Sequence, residues 1–128
     1  MILFWRKRTP EPLGKQGEKL AVKHLKRAGY RILEQNAKLG RYEIDIIARE
    51  GDTIAFVEVK TRKSDSFAEP EANVNHCKQE HIRRAAATYI YRNPSPGTYY
   101  RYDIVSIVLP EEGKPKITLF RDAFQDKP

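Results

Sequence analysis

The chain has 128 residues, of which 40% are hydrophobic, and this is enough for one domain with a single core. The formal net charge of +7 favours a polyanionic partner such as nucleic acid, although the same charge also serves ordinary solubility. A single cysteine, Cys77, excludes an intrachain disulfide and suits a reducing cytoplasm, and no apolar run has the length of a membrane span.

The first predicted element is a helix over residues 13–28, with an apolar stripe and a stop signal at Gly29. Residues 1–12 are expected to form a flexible arm that ends at Pro10 and Pro12. They do not read as a signal peptide, because their apolar residues precede the basic ones. Residues 13–128 then form one domain. Glu18 lies on the edge of the helical stripe, where it either leans towards the sheet or is a solvated acid favoured by the helix dipole.

A first strand is predicted over residues 30–35, and a loop over residues 36–41 follows it. The loop carries Lys38 and Arg41 just before an apolar strand that contains acids. These two side chains either contact phosphate or form a plain basic turn.

Two apolar runs around a turn signal predict a β-hairpin over residues 41–62. A two-residue Gly-Asp loop pairs Glu50 with Thr53, and counting back along both strands places Asp45 opposite Glu58. Directly opposed side chains lie about 4.5–5.5 Å apart, and like charges at that distance repel each other. The apolar neighbours add a desolvation cost, so a cation is expected between the two acids.

Strand alternation divides the first strand of the hairpin into two faces: Glu43, Asp45 and Ile47 on one, and Tyr42, Ile44 and Ile46 on the other. Glu58 and Lys60 share a face of the second strand, where they interrupt an apolar run. We therefore expect Asp45, Glu58 and Lys60 to converge on one face at a sheet edge. The alternative interpretation is a surface hairpin in which Glu58 and Lys60 form a solvated ion pair.

Mg²⁺ fits such a pair of acids, because it is bound through one or two carboxylates together with waters and phosphate oxygens. Lys60 lies two residues beyond Glu58, where its ammonium would reach a phosphate or an attacking water.

A polar loop over residues 61–73 leaves the same strand end, so its Arg62 and Lys63 are expected to border the site. A helix over residues 74–92 follows, with a predicted buried arc formed by Val74, Cys77, Ile82, Ala85, Ala86 and Tyr89. Lys78 and Gln79 lie within or beside this arc, so they either point towards the strand ends or simply flank the core.

A break at residues 93–97 precedes a strongly apolar strand over residues 99–109 and a short last strand over residues 116–120. Asp103 alternates with Val105 and Ile107 and is expected to face inward, where it either supports a basic residue or extends the metal site. This order of elements predicts an α/β domain with a mixed β-sheet flanked by helices.

Asp45 followed by Glu58-Val59-Lys60 resembles the core of the PD-(D/E)xK nuclease superfamily, with Ile44 in place of the proline. The segments G-E-K-L-A, Y-E-I-D-I-I-A, F-V-E-V-K-T-R, V-N-x-x-K-Q and R-Y-D-I-V extend the resemblance. Over about residues 14–124 they are similar to the YraN-like family of small bacterial proteins, whose predicted fold is similar to that of archaeal Holliday-junction resolvases. One departure is Tyr42, where the family usually has glycine.

The resemblance implies a restriction-endonuclease-like fold and hydrolysis of a phosphodiester with Mg²⁺ or Mn²⁺. It assigns the ion to Asp45, Glu58 and the carbonyl of Val59. Lys60 would position the attacking water or neutralise the transition state.

Three further residues take roles from the same resemblance. Glu18 matches the glutamate that resolvase-like nucleases contribute from their first helix, Gln79 would orient the attacking water, and Lys78 would hold phosphate. The side chains expected to bind nucleic acid are Lys38, Arg41, Arg62, Lys63 and Lys78.

The predicted function is therefore a metal-dependent endonuclease that acts on nucleic acid, DNA rather than RNA and including branched DNA, in the cytoplasm and without a membrane. A homodimer would agree with this resemblance, because superfamily members that cut branched DNA usually act as dimers. Two alternatives stay open: a non-catalytic nucleic-acid-binding protein that keeps the nuclease fold, and an intact metal site that serves RNA processing.

Overall fold

The computed structural model describes residues 11–64 and 74–126. Its elements are α1 (Leu13–Arg27), β1 (Arg31–Leu39), β2 (Tyr42–Glu50), β3 (Thr53–Ser64), α2 (His76–Arg92), β4 (Tyr99–Pro110) and β5 (Lys116–Phe124). The arm predicted over residues 1–12, except its last two residues, and most of the loop predicted over residues 61–73 lie outside the described residues. Neither of these helices is long and apolar enough to cross a bilayer.

The five strands form one sheet in the order β1-β2-β3-β4-β5. β3 and β4 are parallel, and the other neighbouring strands are antiparallel. A parallel pair needs a long crossover connection, and α2 supplies it. The predicted mixed sheet flanked by helices is confirmed, and this α/β fold is consistent with a restriction-endonuclease-like domain.

Each face of the sheet carries its own apolar core. The core beneath α1 contains Ala21, Leu25, Tyr30, Ile46, Ala48, Ala55, Val57, Val105 and Ile107. The core beneath α2 includes Ile44, Ile47, Phe56, Ile82, Ala85, Tyr89 and Ile104. Because both faces of the central strands are covered, apolar residues follow one another there without the polar alternation of a half-exposed strand.

The turn of the hairpin depends on the conformational freedom of a glycine. Gly51 has a φ of +63°, which residues with a Cβ rarely adopt, and the loop it opens pairs Glu50 with Thr53. The predicted hairpin register is therefore confirmed.

The loop predicted over residues 36–41 is wrong, because β1 continues to Leu39. Ala37 and Leu39 are buried against the α2 core, and this burial holds the segment in the sheet. A register shift between Ile32 and Glu34 and a φ of +51° at Asn36 mark irregularities that local sequence patterns do not reveal.

The last strand is also longer than predicted. β5 runs on to Phe124, because a register shift opposite Asp103 lets the pairing resume between Tyr102 and Phe124. Asp122 has a φ of +54° in this bulge, and its N–H donates a 2.9 Å hydrogen bond to Oδ1 of Asp103.

Cys77 is exposed, so its place in the predicted buried arc of α2 is wrong. At 100° per residue it lies about 140° around the helix from Ile82, away from the sheet. The helix face that buries Ile82, Ala85, Ala86 and Tyr89 is continued towards the N-terminus by Gln79, which is partly buried, and Lys78, which is exposed.

Candidate active site

The candidate site lies where two interior strands part. The ladder between β2 and β3 ends at the pair Ile46–Val57, while β2 stays paired with β1 and β3 with β4. Just beyond that point, Oδ2 of Asp45 accepts a 2.8 Å hydrogen bond from the N–H of Val59. If the ladder continued, a main-chain carbonyl oxygen of β2 would accept this hydrogen bond. The Asp45 carboxylate takes the place of that oxygen.

The predicted faces of β2 are partly wrong. Ile44 and Ile47 both belong to the α2 core, whereas Ile46 and Ala48 belong to the α1 core. Strict alternation would group Ile44 with Ile46, so the alternation shifts by one residue around Asp45. Such irregularities re-aim a side chain, and this one accompanies the turn of Asp45 towards β3. The expected sheet edge is wrong as well, because β2 and β3 are the second and third of five strands.

Glu58 is in contact with Asp45 across this gap. Its side chain is only 12% exposed. Burial, and then the hydrogen bond and the charge of Asp45, raise the pKa of Glu58 to about 8. Two carboxyl groups can share a hydrogen bond only if one of them keeps a proton, so the pair holds a proton at neutral pH. Lys78 opposes this shift, with Nζ 3.5 Å from Oε2 of Glu58.

Glu18 approaches the same acids from α1. Its Oε1 is buried and has no hydrogen-bond partner among the described residues. Burial, then the charges of Asp45 and Glu43, raise the pKa of Glu18, and a hydrogen bond with Asn36 lowers it. The helix therefore brings a third carboxyl into the field of Asp45. The sequence indicated no role for Glu43 or Asn36. The only signal was that Glu43 shares the predicted face of Asp45, and Asn36 had none.

A close contact between α1 and β3 positions Glu18. A Cβ added at Gly17 would lie 1.7 Å from Oγ1 and 2.8 Å from Cβ of Thr61, so only glycine fits there. Gly17 is itself buried, and Thr61 follows Lys60 directly on β3. Nothing in the sequence indicated Thr61, because the contact depends on how the helix packs on the sheet.

A cavity of about 270 Å³ opens beside the acids and carries the basic groups of the site. Its lining residues are Glu58, Val59, Lys60, Val74, Asn75 and Lys78. Asn75 caps α2 there, since its Oδ1 accepts a 2.8 Å hydrogen bond from the N–H of Lys78. The positive end of the helix dipole thus adds to the two ammonium groups, and the cavity suits an anion next to a pair of acids.

The side-chain amide of Gln79 has hydrogen-bond partners in α2 and just before it. Its Nε2 donates a 2.8 Å hydrogen bond to the carbonyl of Val74, and its Oε1 accepts a 3.0 Å hydrogen bond from Arg83. Both ends of the amide are thus engaged, and the water-orienting role of Gln79 stays a prediction.

The remaining basic residues of the prediction are exposed on the strands and turns around the site. Lys38 is exposed on β1, where it pairs with Glu43 of β2. Arg41 is exposed in the turn between these strands, and Arg62 and Lys63 are exposed towards the end of β3. Their contact with nucleic acid stays a prediction.

Asp103 is a buried acid of a different kind. Its side chain is fully buried, and it accepts hydrogen bonds from Tyr30 Oη at 2.7 Å, Arg101 Nε at 2.8 Å and the N–H of Asp122 at 2.9 Å. Arg101 also reaches Glu50 at 2.7 Å. Since donors occupy both oxygens, Asp103 supports a basic residue, which was one of its two expected roles.

The donor set around Asp45 fits a hard cation. Within residues 11–64 and 74–126, no group of three or more His, Cys, Asp or Glu side chains is arranged to hold a metal. Two adjoining carboxyls nevertheless match Mg²⁺, which completes its shell with carbonyl, water and phosphate oxygens. The N–H and C=O of one strand residue point to the same side, so the carbonyl of Val59 faces the gap that Asp45 occupies. The buried Oε1 of Glu18, for which the described part of the chain supplies no hydrogen-bond partner, adds an acceptor close to these oxygen atoms.

Comparisons with known proteins agree with the sequence resemblance. The family model described as "Uncharacterised protein family UPF0102" matches residues 17–107. A "UPF0102 protein" of Syntrophus aciditrophicus is 46% identical over 112 residues, covering 88% of this chain and 87% of its own. A second, from Caldicellulosiruptor saccharolyticus, is 41% identical over 113 residues, covering 88% and 96%. A third, from Chloroherpeton thalassium, is 39% identical over 127 residues, covering 94% and 98%.

Proposed function

The chain belongs to the uncharacterised protein family UPF0102, whose name assigns no activity, and we propose from the geometry of the site that it is a metal-dependent endonuclease that hydrolyses phosphodiester bonds of DNA. The observation that carries this proposal is the contact between Asp45 and Glu58 where β2 and β3 part. The contact between Asp45 and Glu58 does not favour folding, because the desolvation of Glu58 and the charge of Asp45 both oppose the ionised form of Glu58. Perturbed acids in a cleft are instead typical of functional sites.

Asp45, Glu58 and the carbonyl of Val59 would hold a Mg²⁺ or Mn²⁺ ion. When bound, such an ion acts as a Lewis acid and lowers the pKa of water. The N–H of Val59 fixes the orientation of the Asp45 carboxylate before any ligand arrives. Lys60 lines the cavity beside Glu58 and would bind the phosphate or the attacking water, with its positive charge favouring the charge that develops on the phosphate.

The substrate is proposed from charge and from the place of the basic side chains. The net charge of +7 attracts a polyanion, and exposed basic residues lie on the strand ends and turns near the acids. The N-terminus of α2 and Lys78 offer a phosphate subsite next to Glu58. Because Asp45 and Glu58-Val59-Lys60 resemble the core of the PD-(D/E)xK superfamily, we also propose that the chain belongs to that superfamily. On the same resemblance we favour DNA over RNA as the substrate and the cytoplasm as the place of action.

A second function is favoured by one observation. Lys78 already lies 3.5 Å from Glu58, and an acid that is satisfied by a lysine needs no metal. On this interpretation the protein binds nucleic acid without cleaving it and keeps the fold of a nuclease.

Two measurements separate these functions. Calorimetry of Mn²⁺ binding to the wild type, Asp45→Asn and Glu58→Gln tests the site, and a cleavage screen on duplex, single-stranded and branched DNA tests the activity. The endonuclease requires Mn²⁺ binding and cleavage that both disappear in the two variants. If the wild type binds DNA but neither binds Mn²⁺ nor cleaves DNA, the second function, binding without cleavage, is the correct one.

A further inference from the structure

Lys78 brings a positive charge to Glu58, whose side chain is largely buried. Its Nζ lies 3.5 Å from Oε2 of Glu58. This is longer than the roughly 2.7–2.9 Å of a strong hydrogen bond between an ammonium and a carboxylate. The side chain of Lys78 is 46% exposed, whereas that of Glu58 is only 12% exposed. The side chain of Lys78 therefore has room to move, whereas the side chain of Glu58 is enclosed by its neighbours.

The main chain of Lys78 is held firmly although its side chain is not. Asn75 caps the helix by accepting a hydrogen bond from the N–H of Lys78, and the neighbouring Gln79 is tied to the carbonyl of Val74. Glu58 and Lys60 come from β3 on the other side of the cavity. The four-carbon stem of Lys78 thus lets its ammonium move between Glu58 and the cavity while α2 stays in place.

We propose that Lys78 is a coupling residue of this site: its ammonium lies beside Glu58 until a divalent cation binds there and displaces it, and it then binds the phosphate of the substrate in the cavity beside Glu58. The proposal rests on the proposed function, because it takes the cation and the phosphodiester from it. One carboxylate cannot hold an ammonium and a divalent cation at close range without repulsion between the two cations. The displaced ammonium remains beside a cavity that suits an anion, so it gains a new partner there.

The consequence is a linkage between metal and substrate. Without DNA, Lys78 competes with the metal for Glu58 and weakens metal binding. With a phosphate in the cavity, the same lysine has another partner and the competition ends. Each ligand then strengthens the binding of the other by the same factor, as linkage requires.

The test measures Mn²⁺ binding by calorimetry for the wild type and Lys78→Met, with and without a DNA duplex whose linkages resist cleavage. Lys23→Met is the matched control, because Lys23 is exposed on α1 and the chemical change is the same. Thermal unfolding establishes that each variant is folded. We expect Lys78→Met to bind Mn²⁺ about 5- to 10-fold more tightly without DNA, the scale of one partly exposed ion pair. It should bind the duplex more weakly, and the duplex should no longer raise its affinity for Mn²⁺.

Equal or weaker Mn²⁺ binding by Lys78→Met, with wild-type Mn²⁺ binding and cleavage intact, overturns the coupling role and leaves the proposed endonuclease standing. Absence of Mn²⁺ binding in the wild type together with its appearance in Lys78→Met supports the competition. If neither the wild type nor Lys78→Met binds Mn²⁺, both the coupling role of Lys78 and the proposed metal site are wrong.

Discussion

The N–H of Val59 donates a 2.8 Å hydrogen bond to Oδ2 of Asp45, so a side chain of β2 completes the edge of β3 where the ladder between the two strands has ended. This contact explains how a charged residue is held among apolar neighbours. It also fixes which oxygen of Asp45 faces the main chain of β3. The site is therefore organised by the sheet itself, and α1 and α2 add Glu18 and Lys78 from its two faces.

The contact between Gly17 and Thr61 predicts that Gly17→Ala is destabilising. The added methyl group would lie 2.8 Å from the Cβ of Thr61, so the helix has to move away from β3. We expect a loss of about 1–3 kcal/mol in the free energy of unfolding, measured by urea denaturation, and weaker cleavage because Glu18 moves with the helix.

Gly14→Ala is the control for this substitution. Nothing lies within 4 Å of a Cβ added at Gly14 on the same helix, so helix propensity should stabilise that variant by about 0.5–1 kcal/mol. Thr61→Ala should partly rescue Gly17→Ala, because it removes the nearest atom, Oγ1. Equal stability of the two glycine variants would contradict the close approach of α1.

From the ion pairs of Glu50 with two arginines we predict that the folded protein loses stability in acid. Arg121 above all, and then Arg101, lower the pKa of Glu50 to about 2 from an ordinary value near 4.5. A depressed carboxyl pKa stabilises the fold above pH 4.5 and loses that contribution as the pH falls through about 2. Because the side chain is partly exposed, we expect about 1–2 kcal/mol over this range. Chemical denaturation from pH 6 to pH 2 measures it.

Glu50→Gln separates this effect from general acid denaturation. The variant should be less stable than the wild type at pH 6, and the difference should vanish near pH 2, where Glu50 itself is protonated. Glu112→Gln, at an exposed position, should follow the wild type throughout. A difference between Glu50→Gln and wild type that stays constant with pH would show that the ion pairs with the two arginines contribute nothing.

The basic residues around the site predict salt-dependent DNA binding. Each phosphate that a lysine or arginine neutralises releases counterions, so the affinity should fall steeply with salt. Arg41→Ala and Lys63→Ala should each weaken binding to any sequence and reduce the slope of log K against log salt by about 1. Lys23→Ala, exposed on α1, should leave the slope unchanged. Fluorescence anisotropy over a salt series measures these slopes, and an affinity that does not change with salt would count against the electrostatic contacts.

The parts of the fold that the sequence predicted are those set by local chemistry. The Gly51 turn determines which residues of β2 and β3 are paired, and that pairing brings Asp45 and Glu58 to the same level of the sheet. The buried stripe of α2 follows from helical periodicity, and it directs Lys78 towards the strand ends. In these cases a few neighbouring residues decide the geometry.

The parts that the sequence did not predict depend on contacts between distant segments. Strict alternation fails at Asp45, whose carboxylate accepts a hydrogen bond from the N–H of Val59 on the next strand. The strand character of residues 36–39 comes from the burial of Ala37 and Leu39, not from local propensity. The place of Glu18 depends on the fit between Gly17 and Thr61, and no periodic pattern carries that information.

The last prediction concerns the stability of Glu58→Gln. The pKa of Glu58 is raised to about 8 from an ordinary value near 4.5, so between these two pH values the folded protein holds a proton that the unfolded chain has lost. The wild type should therefore lose stability as the pH rises from 4.5 to 8, and Glu58→Gln should not. At pH 8 the variant should be more stable, and Mg²⁺ should raise the melting temperature of the wild type alone.

Asp103→Asn is the contrast, because loss of a fully hydrogen-bonded acid should cost about 1–3 kcal/mol at every pH in this range. If Glu58→Gln instead loses stability at pH 8 and Mg²⁺ leaves the wild type unchanged, the ion pair with Lys78 is structural. The protein is then a nucleic-acid-binding protein without a metal site.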